Sequence, residues 1–231
     1  MMHRLACFAS GGGSNVQSIL DYHAALGAAA PFVPALVASN RATAGVLTRA
    51  AAAGVPTALV EQPADGPALR TLLEVHGITL IALAGYLKFV PAEVTRHWRG
   101  TVLNVHPSLL PQFGGPGMYG HRVHEAVLAA GARESGATVH FVDDVYDGGA
   151  VIGRARVPVH ADDTADTLAA RVLAAEHALY PRALHAVALG LVTLGTDGRA
   201  HGASDAARSA ALLPSPVALE FTPAPASTSD S

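Results

Sequence analysis

The sequence has a single cysteine, few aromatic residues and few charges. Cys7 is that cysteine, so a disulfide framework and a zinc cluster built on cysteines are both excluded. Charged residues make up 14% of the chain, the formal net charge is −3, and Lys and Arg are scattered. Because no basic stripe is present to neutralise phosphates, we expect no nucleic-acid partner.

Long apolar runs are also missing from the sequence. The longest apolar stretch, residues 24–38, is interrupted by Pro31 and Pro34, so nothing approaches the ~18 uninterrupted residues of a membrane span. The apolar run at residues 5–9 is shorter than the ~7–15 residues of a signal-peptide core. We therefore expect a cytoplasmic protein without a membrane segment.

Short β-type runs alternate with helical stretches along most of the chain, which is typical of a parallel sheet covered on both faces. The pattern predicts an α/β fold with a Rossmann-like, doubly wound, mostly parallel sheet, formed by one catalytic domain over residues 1–202. Strands are predicted at residues 5–9, 32–38, 57–60, 78–84, 101–106, 137–142 and 151–159. A long helix is predicted from Thr164, with a break or kink at Pro181.

The composition changes after about residue 203, where Ala, Pro, Ser and Thr dominate. A segment of this kind buries too little apolar surface to offset its loss of conformational entropy. We expect residues 203–231 to be a disordered tail, and truncation at Ala203 to leave catalysis and the melting temperature nearly unchanged.

The first candidate motif is the glycine turn Gly11-Gly12-Gly13-Ser14-Asn15, between the first predicted strand and the first helix. Backbone N–H groups in such a turn converge at the positive end of a helix and bind anions. A dinucleotide motif would need glycine or alanine at Val16 and a ribose carboxylate where Ser39 and Asn40 stand. A single phosphate monoester fits better, and a tight turn without a ligand is the alternative.

The second candidate motif is Asn-x-His-Pro-Ser-Leu-Leu-Pro, residues 104–111. Alternate residues of a strand share a face, so Asn104 and His106 point the same way at its carboxyl end. An amide and an imidazole placed together can polarise a carbonyl and move a proton. The alternative is an ordinary polar histidine on the surface at a strand end.

The third candidate motif is the acidic turn that contains Asp143, Asp144 and Asp147 and ends in two glycines. The spacing and the closing glutamate of an EF-hand calcium loop are absent. Two interpretations remain: a solvated acidic hairpin turn, or a turn from which one carboxylate reaches His106 and fixes its tautomer. The spacing does not say which of the three carboxylates that is.

In their order and spacing, these three motifs resemble those of the glycinamide ribonucleotide transformylase family, within the folate formyltransferase superfamily. The resemblance extends from about residue 5 to residue 190. It implies a formyltransferase fold and transfer of a formyl group from the co-substrate 10-formyltetrahydrofolate to the amine of glycinamide ribonucleotide, in purine biosynthesis. It also implies small-molecule substrates, no metal, and a monomer or homodimer.

The resemblance also implies a role for individual residues. Asn104 would polarise the formyl carbonyl, His106 would transfer protons, and Asp147 would orient His106. Gly11, Gly12, Gly13, Ser14 and Asn15 would hold the substrate phosphate, and Glu176 the ribose hydroxyls. The folate pterin would lie against Leu87, Lys88, Phe89 and Val90, and against the backbone of Asp143, Asp144 and Val145.

Three features depart from the family pattern. Lys88 stands where an arginine is common, and Leu173 replaces a polar residue one turn before Glu176. The segment 113–121, FGGPGMYGH, is rich in glycine and longer than the shorter family form. These departures leave the pterin contact, one substrate hydrogen bond and the conformation of this loop open.

Three other functions compete with this hypothesis. A methionyl-tRNA formyltransferase would carry a further C-terminal domain for its RNA, where we expect only a tail. A formyltetrahydrofolate hydrolase would need an N-terminal regulatory domain, whereas here the first predicted strand begins near residue 5. A non-catalytic phosphate-binding α/β module would keep the glycine turn but would need no combination of Asn104, His106 and Asp147.

Overall fold

The computed structural model describes residues 2–203, 212 and 214–223. The strands are β1 (His3–Phe8), β2 (Phe32–Ser39), β3 (Thr57–Leu59), β4 (Leu80–Leu83), β5 (Val102–His106), β6 (Glu134–Phe141), β7 (Val151–Pro158), β8 (Val192–Leu194), β9 (Ala200–Gly202) and β10 (Leu219–Phe221). The helices are α1 (Ser14–Leu26), α2 (Gly45–Ala52), α3 (Gly66–Val75), α4 (Ala92–His97), α5 (His121–Ala129) and α6 (Ala165–Ala188), with a short 3₁₀ turn at Gly27–Ala29.

Eight strands form one sheet in the order β10-β7-β6-β5-β4-β1-β2-β3, and β8 pairs with β9 in a separate hairpin. The pairings among β3, β2, β1, β4 and β5 are parallel, whereas β6, β7 and β10 pair antiparallel. The predicted fold class, an α/β fold with a mostly parallel sheet, is therefore confirmed. β6 and β7 follow each other along the chain and are joined by a short turn. Such a turn is possible because the two strands are antiparallel, since a parallel pair would need a crossover connection.

The central strands are buried on both faces, as expected of a sheet covered by helices on each side. In β1, Leu5 and Cys7 pack into the cluster that includes α1 and α6. Ala6 and Phe8 point the other way, into the cluster that includes α3 and α4. Each large side chain buried in this way contributes about 1.5–3 kcal/mol.

The longest helix, α6, begins after Thr164, whose side chain accepts from the backbone of Thr167 in a capping box. The sequence predicts a break or kink at Pro181, but the helix continues through that residue to Ala188. A proline inside a helix costs about 3 kcal/mol, and the burial of many α6 side chains outweighs that cost. No helix in the described residues is long and apolar enough to cross a membrane.

Of the predicted disordered tail, residues 203–231, the structure describes residues 203, 212 and 214–223, and the rest lies outside the described residues. The described part contains a strand. β10 pairs antiparallel with the edge strand β7, with Leu219 opposite Ala155 and Phe221 opposite Gly153. Val217, Leu219 and Phe221 pack against the core cluster, and the Arg182 guanidinium donates to the Pro214 carbonyl. Apolar residues at every second position suit an edge strand, a signal that the average composition of the segment hides.

We predict that truncation after Ala203 destabilises the protein, contrary to the expectation from composition. The loss of β10 and its apolar side chains should lower the free energy of unfolding by about 2 kcal/mol and the melting temperature by about 4–8 °C. Phe221→Ala should reproduce much of this loss, whereas Glu220→Gln, an exposed change in the same strand, should have little effect. Identical melting curves for the truncated and full-length chains would contradict this prediction.

Candidate active site

A cleft with a volume of about 690 Å³ opens at the carboxyl ends of β4 and β5, within the size range of small-molecule sites. The chain runs from β1 outward to β2 and β3, and returns on the other side of β1 to β4. Ligands in open α/β sheets bind at such a switch point, just outside the carboxyl ends of the strands. The fold therefore places its main cavity where the topology favours a site.

Strand β5 brings Asn104 and His106 to one wall of the cleft. The Asn104 amide nitrogen lies 3.1 Å from His140 Nε2, because the antiparallel register sets these residues opposite each other. His106 Nε2 donates to the Phe113 carbonyl at 2.8 Å, since that oxygen can only accept. His106 is 4% exposed, so it is not a polar surface residue at a strand end.

Asp147 lies between the two histidines of the cleft. Its Oδ2 is 3.5 Å from His106 Nδ1, and its Oδ1 is 3.6 Å from His140 Nε2. Oδ2 also accepts the Gly115 backbone N–H at 2.9 Å. The sequence left open which carboxylate of the acidic turn approaches His106, and the structure gives Asp147.

The other two carboxylates of the acidic turn have different surroundings. Asp143 lines the cleft and accepts the Val145 backbone N–H at 2.9 Å. The Asp144 side chain points out of the cleft toward α4, where it accepts from Thr95 and Arg96. The structure therefore brings Asp143 and Val145 to the predicted folate side of the cleft, but not the side chain of Asp144.

Burial and neighbouring charges set the protonation states of these residues. Burial lowers the pKa of His106, and this effect outweighs the opposing influence of the Asp147 carboxylate and the Phe113 carbonyl. Burial alone would raise the pKa of Asp147, but its contacts with His140, His106 and the Gly115 N–H outweigh burial and lower it. A neutral His106 beside an ionised Asp147 therefore dominates near neutral pH.

His140 is the member of this group that the sequence analysis missed. It lies within the predicted strand 137–142, and its Nδ1 donates to the Phe141 carbonyl at 2.8 Å. The sequence does show a histidine inside an apolar strand, just before the acidic turn. Its position opposite Asn104, however, depends on the register between β5 and β6. Within the described residues, no group of three or more His, Cys, Asp or Glu side chains is arranged to hold a metal ion.

The glycine turn adjoins the cleft at the start of α1. Gly13 has φ 74°, and a Cβ there would lie 2.4 Å from Val46 Cγ2, so only glycine fits this position. Gly11 and Gly12 have open space where a side chain would begin. Gly13 directly precedes Ser14, the first residue of α1, and the first N–H groups of α1 have no acceptor within the helix.

Asn15 and Glu176 form a buried pair on the cleft wall. The Asn15 amide donates to Glu176 Oε2 at 2.5 Å, while Asn15 Oδ1 has no hydrogen-bond partner among the described residues. Burial raises the pKa of Glu176 to about 7, although the Asn15 amide opposes this shift. Two buried polar groups thus line a cavity, and one atom of the pair is unsatisfied, which marks a place where a polar ligand binds favourably.

The predicted pterin-side segment, Leu87, Lys88, Phe89 and Val90, lines the opposite wall of the cleft. Leu87 and Phe89 are exposed, and the Phe89 ring lies 5.0 Å from the Tyr146 ring, centroid to centroid. Exposed apolar side chains at a cleft mouth provide a surface for a flat aromatic ligand.

The glycine-rich segment 113–121 forms a third wall of the cleft. Gly115, Gly117 and Gly120 have positive φ angles, a conformation that glycine adopts without strain. Phe113 also has a positive φ, 55°, and packs against the core while its carbonyl faces His106. The sequence left the conformation of this loop open. In the structure the loop supplies one backbone partner to each of two buried side chains, the Phe113 carbonyl to His106 and the Gly115 N–H to Asp147.

Comparison with known proteins agrees with this geometry. Residues 3–184 match the family described as formyl transferase. A protein of Vigna unguiculata named phosphoribosylglycinamide formyltransferase, chloroplastic, is 42% identical over 201 residues, which is 84% of this chain. The chain spans 64% of the length of that relative.

Solved structures show the same similarity. The phosphoribosylglycinamide formyltransferase of Anaplasma phagocytophilum matches with a TM-score of 0.79 and 33% identity, over 89% of this chain and 96% of that one. The corresponding enzyme of Brucella melitensis is 40% identical, with a TM-score of 0.73, over 83% of this chain and 98% of that one. The chain belongs to the formyl transferase family, and within it resembles the phosphoribosylglycinamide formyltransferases.

Proposed function

We propose that this chain transfers the formyl group of 10-formyltetrahydrofolate to the amine of glycinamide ribonucleotide, giving formylglycinamide ribonucleotide and tetrahydrofolate in purine biosynthesis. The observation that carries the proposal is the buried group of Asn104, His106 and Asp147, which opens on the same cleft as Asn15, the last residue of the glycine turn. The activity for which the relatives from a plant and two bacteria are named supports the same reaction.

The reaction needs a donor to the developing oxyanion and an acceptor for the amine proton. When the amine attacks the formyl carbon, the Asn104 amide N–H stabilises negative charge on the formyl oxygen, a contribution of roughly 3–4 kcal/mol for such donors. His106 accepts the proton at Nδ1, the ring nitrogen left free by the Nε2 bond to Phe113. The imidazolium then lies between the Phe113 carbonyl and the Asp147 carboxylate, and its proton passes to the leaving tetrahydrofolate.

The acceptor substrate carries a phosphate and a ribose, and the chain has a place for each. The N–H groups of the turn formed by Gly11, Gly12, Gly13, Ser14 and Asn15 bind the phosphate, because their positive ends converge at the start of α1. Glu176 binds the ribose hydroxyls, since a carboxyl group on the cleft wall can both donate and accept when its pKa is near 7. The unsatisfied Asn15 Oδ1 supports a polar ligand here.

The formyl donor binds on the other side of the cleft. The exposed apolar side chains of the segment 87–90 and of Val145 contact the flat pterin ring, and the backbone of Asp143 supplies polar contacts. Asp144 is assigned no side-chain contact with the donor, because its carboxylate faces α4. Lys88, which stands where the family commonly has arginine, lines the cleft and provides a positive charge.

Three expectations from the sequence are more specific than anything observed in the structure or the comparisons. A cytoplasmic location, a metal-free reaction and a monomer or homodimer stay predictions, and the plant relative is itself named chloroplastic. A formyltetrahydrofolate deformylase structure resembles the fold at 22% identity and TM-score 0.77, which supports the fold alone. A binding module without catalysis has no use for a buried carboxylate between two histidines.

The direct test is an assay of the purified chain with 10-formyltetrahydrofolate and glycinamide ribonucleotide, in which tetrahydrofolate release is followed. Release should depend on both substrates. Release without the acceptor would indicate a hydrolase, and transfer only to a charged tRNA would indicate the RNA-dependent enzyme. No release under any condition would favour the binding module.

Asp147→Asn should lower kcat by about 10²–10⁴-fold, because the charge that holds the imidazolium is lost while the side-chain shape is kept. The melting temperature should change little. Asp197→Asn, in the β8–β9 turn outside the cleft, is the matched control and should keep normal kinetics. A near-normal kcat in Asp147→Asn would show that the assignment is wrong.

Gly12→Val should raise KM for glycinamide ribonucleotide at least about tenfold, or ~1.4 kcal/mol, while KM for the formyl donor stays nearly constant. A Cβ at Gly12 would meet no atom of the described residues within 4 Å, so we expect the variant to fold. Gly12→Ala is the control and should have a smaller effect. A normal acceptor KM in folded Gly12→Val would remove the phosphate from this turn.

Glu176→Gln should remove a pH-dependent penalty on stability. The pKa of Glu176 is about 7 in the folded chain against an ordinary value of 4.5, so wild-type stability should fall as pH rises through this window. The loss should reach about 3 kcal/mol by pH 8. Denaturant unfolding at pH 5 and pH 8 measures it, with the exposed Glu125→Gln as control. Parallel pH profiles for wild type and Glu176→Gln would contradict the prediction.

A further inference from the structure

The turn between β6 and β7 is attached on its outer side to α4. Asp144 Oδ1 accepts from the Thr95 hydroxyl at 3.0 Å, and Oδ2 accepts from Arg96 Nη2 at 2.7 Å. Hydrogen bonds from Arg96 and then Thr95 lower the pKa of Asp144, so the carboxylate is ionised at neutral pH. This three-residue contact, the α4 clamp, lies outside the cleft and has no part in the chemistry described above.

The helix that carries the α4 clamp is firmly packed. Val94 is 1% exposed, and the Trp98 indole just beyond the helix donates to the Ile78 carbonyl at 2.8 Å. The helix also begins directly after the cleft-wall segment 87–90, with Pro91 as its first flanking residue. The α4 clamp therefore connects two walls of one cleft, the segment 87–90 and the turn 143–149.

Asp147, three residues after Asp144, needs such support. Its φ of 53° lies in the left-handed region, which an aspartate keeps only when its surroundings impose it. The far end of the turn is held by the Phe141 N–H, which donates to the Ala150 carbonyl at 2.9 Å, and it lies so close to β6 that a Cβ at Gly149 would be 1.8 Å from the Phe141 carbonyl oxygen. The near end is fixed by the α4 clamp.

We propose that Arg96 and Thr95, acting through Asp144, are positioning residues that hold Asp147 against His106 and fix the separation of the two cleft walls. Arg96 and Asp144 are both exposed, and exposed ion pairs contribute little to overall stability. The effect of the α4 clamp is therefore local to the turn. The effect of the α4 clamp on catalysis rests on the proposed function. Its effect on the contact between Asp147 and His106 is independent of that function.

The first experiment measures that contact without any substrate. The groups that face His106 are Asp147, His140, His124 and the Phe113 carbonyl. NMR titration of histidine-labelled full chain, with His106 assigned through a His106→Asn variant, gives its pKa. In Arg96→Ala this pKa should fall, because the Asp147 carboxylate that raises it moves away. Arg99 lies on the same surface but donates to the Gly195 carbonyl. The control variant Arg99→Ala should therefore leave the pKa of His106 unchanged.

The second experiment measures kinetics of the same variants. Arg96→Ala and Thr95→Val should lower kcat/KM for the formyl donor by about tenfold, and KM for the acceptor should stay within about twofold. The acid limb of the kcat/KM profile should move to lower pH, because the base that must be neutral has a lower pKa. Arg96→Lys should restore most of the loss, and Arg99→Ala should behave as wild type.

An unchanged His106 titration in both Arg96→Ala and Asp144→Asn overturns the proposal, even if the melting temperature of these variants falls. Equal losses in Arg96→Ala and Arg99→Ala also overturn it, since they would reflect surface charge rather than the α4 clamp. If the wild type transfers no formyl group but the His106 titration shifts as expected, the proposed function fails and the positioning role stands.

Discussion

The geometry of the site depends on one buried carboxylate. The Asp147 side chain is 12% exposed, and a carboxylate taken out of water costs several kcal/mol unless partners compensate. The compensation comes from His106 on β5, His140 on β6 and the Gly115 N–H in the glycine-rich loop. Because each partner belongs to a different element, the charge is stable only when all of these elements are in place, so the site forms with the fold.

The position of this group follows from where the sheet changes its pairing. On the parallel side, β1 and β4 bring the glycine turn and the segment 87–90 to the same edge. On the antiparallel side, the β5–β6 register sets Asn104 opposite His140, and the following turn returns Asp147 to them. A parallel β6–β7 pair would need a long crossover connection, so the short return of the acidic turn between these strands needs the antiparallel pair.

The sequence was informative where physical constraints are local. Alternating strand and helix patterns predicted the layers, and Gly13 has to be glycine because of its own φ angle and its contact with Val46. Pairing between distant segments was not predictable, since it depends on register. That is why the spacing alone did not separate Asp147 from Asp143 and Asp144, although the family resemblance pointed to Asp147, and why His140 was missed.

Short elements were missed for a related reason. Helix α4 has six residues, too few for a helical pattern to emerge from local sequence. The alternation around β10 covers only residues 217–221, and the average composition of the segment hid it. β10 exists because β7 offers an unpaired edge, and Val217, Leu219 and Phe221 find a core already built by other elements. The composition of residues 203–231 describes that segment in isolation, whereas its described part is ordered by what it contacts.

The polar groups around Asp147 and those around Asn15 differ in their hydrogen bonding, and the difference fits their proposed roles. Around Asp147 every partner is supplied by the chain itself, which keeps the proton-transfer group fixed before a substrate arrives. At the acceptor side, Asn15 Oδ1 has no hydrogen-bond partner in the described part of the chain, and burial raises the pKa of Glu176 to about 7. A buried polar atom without a partner destabilises the chain as long as no ligand is bound. A ligand that forms a hydrogen bond with this atom removes the cost. In the proposed function, the fold thus preorganises the catalytic side and the substrate completes the binding side.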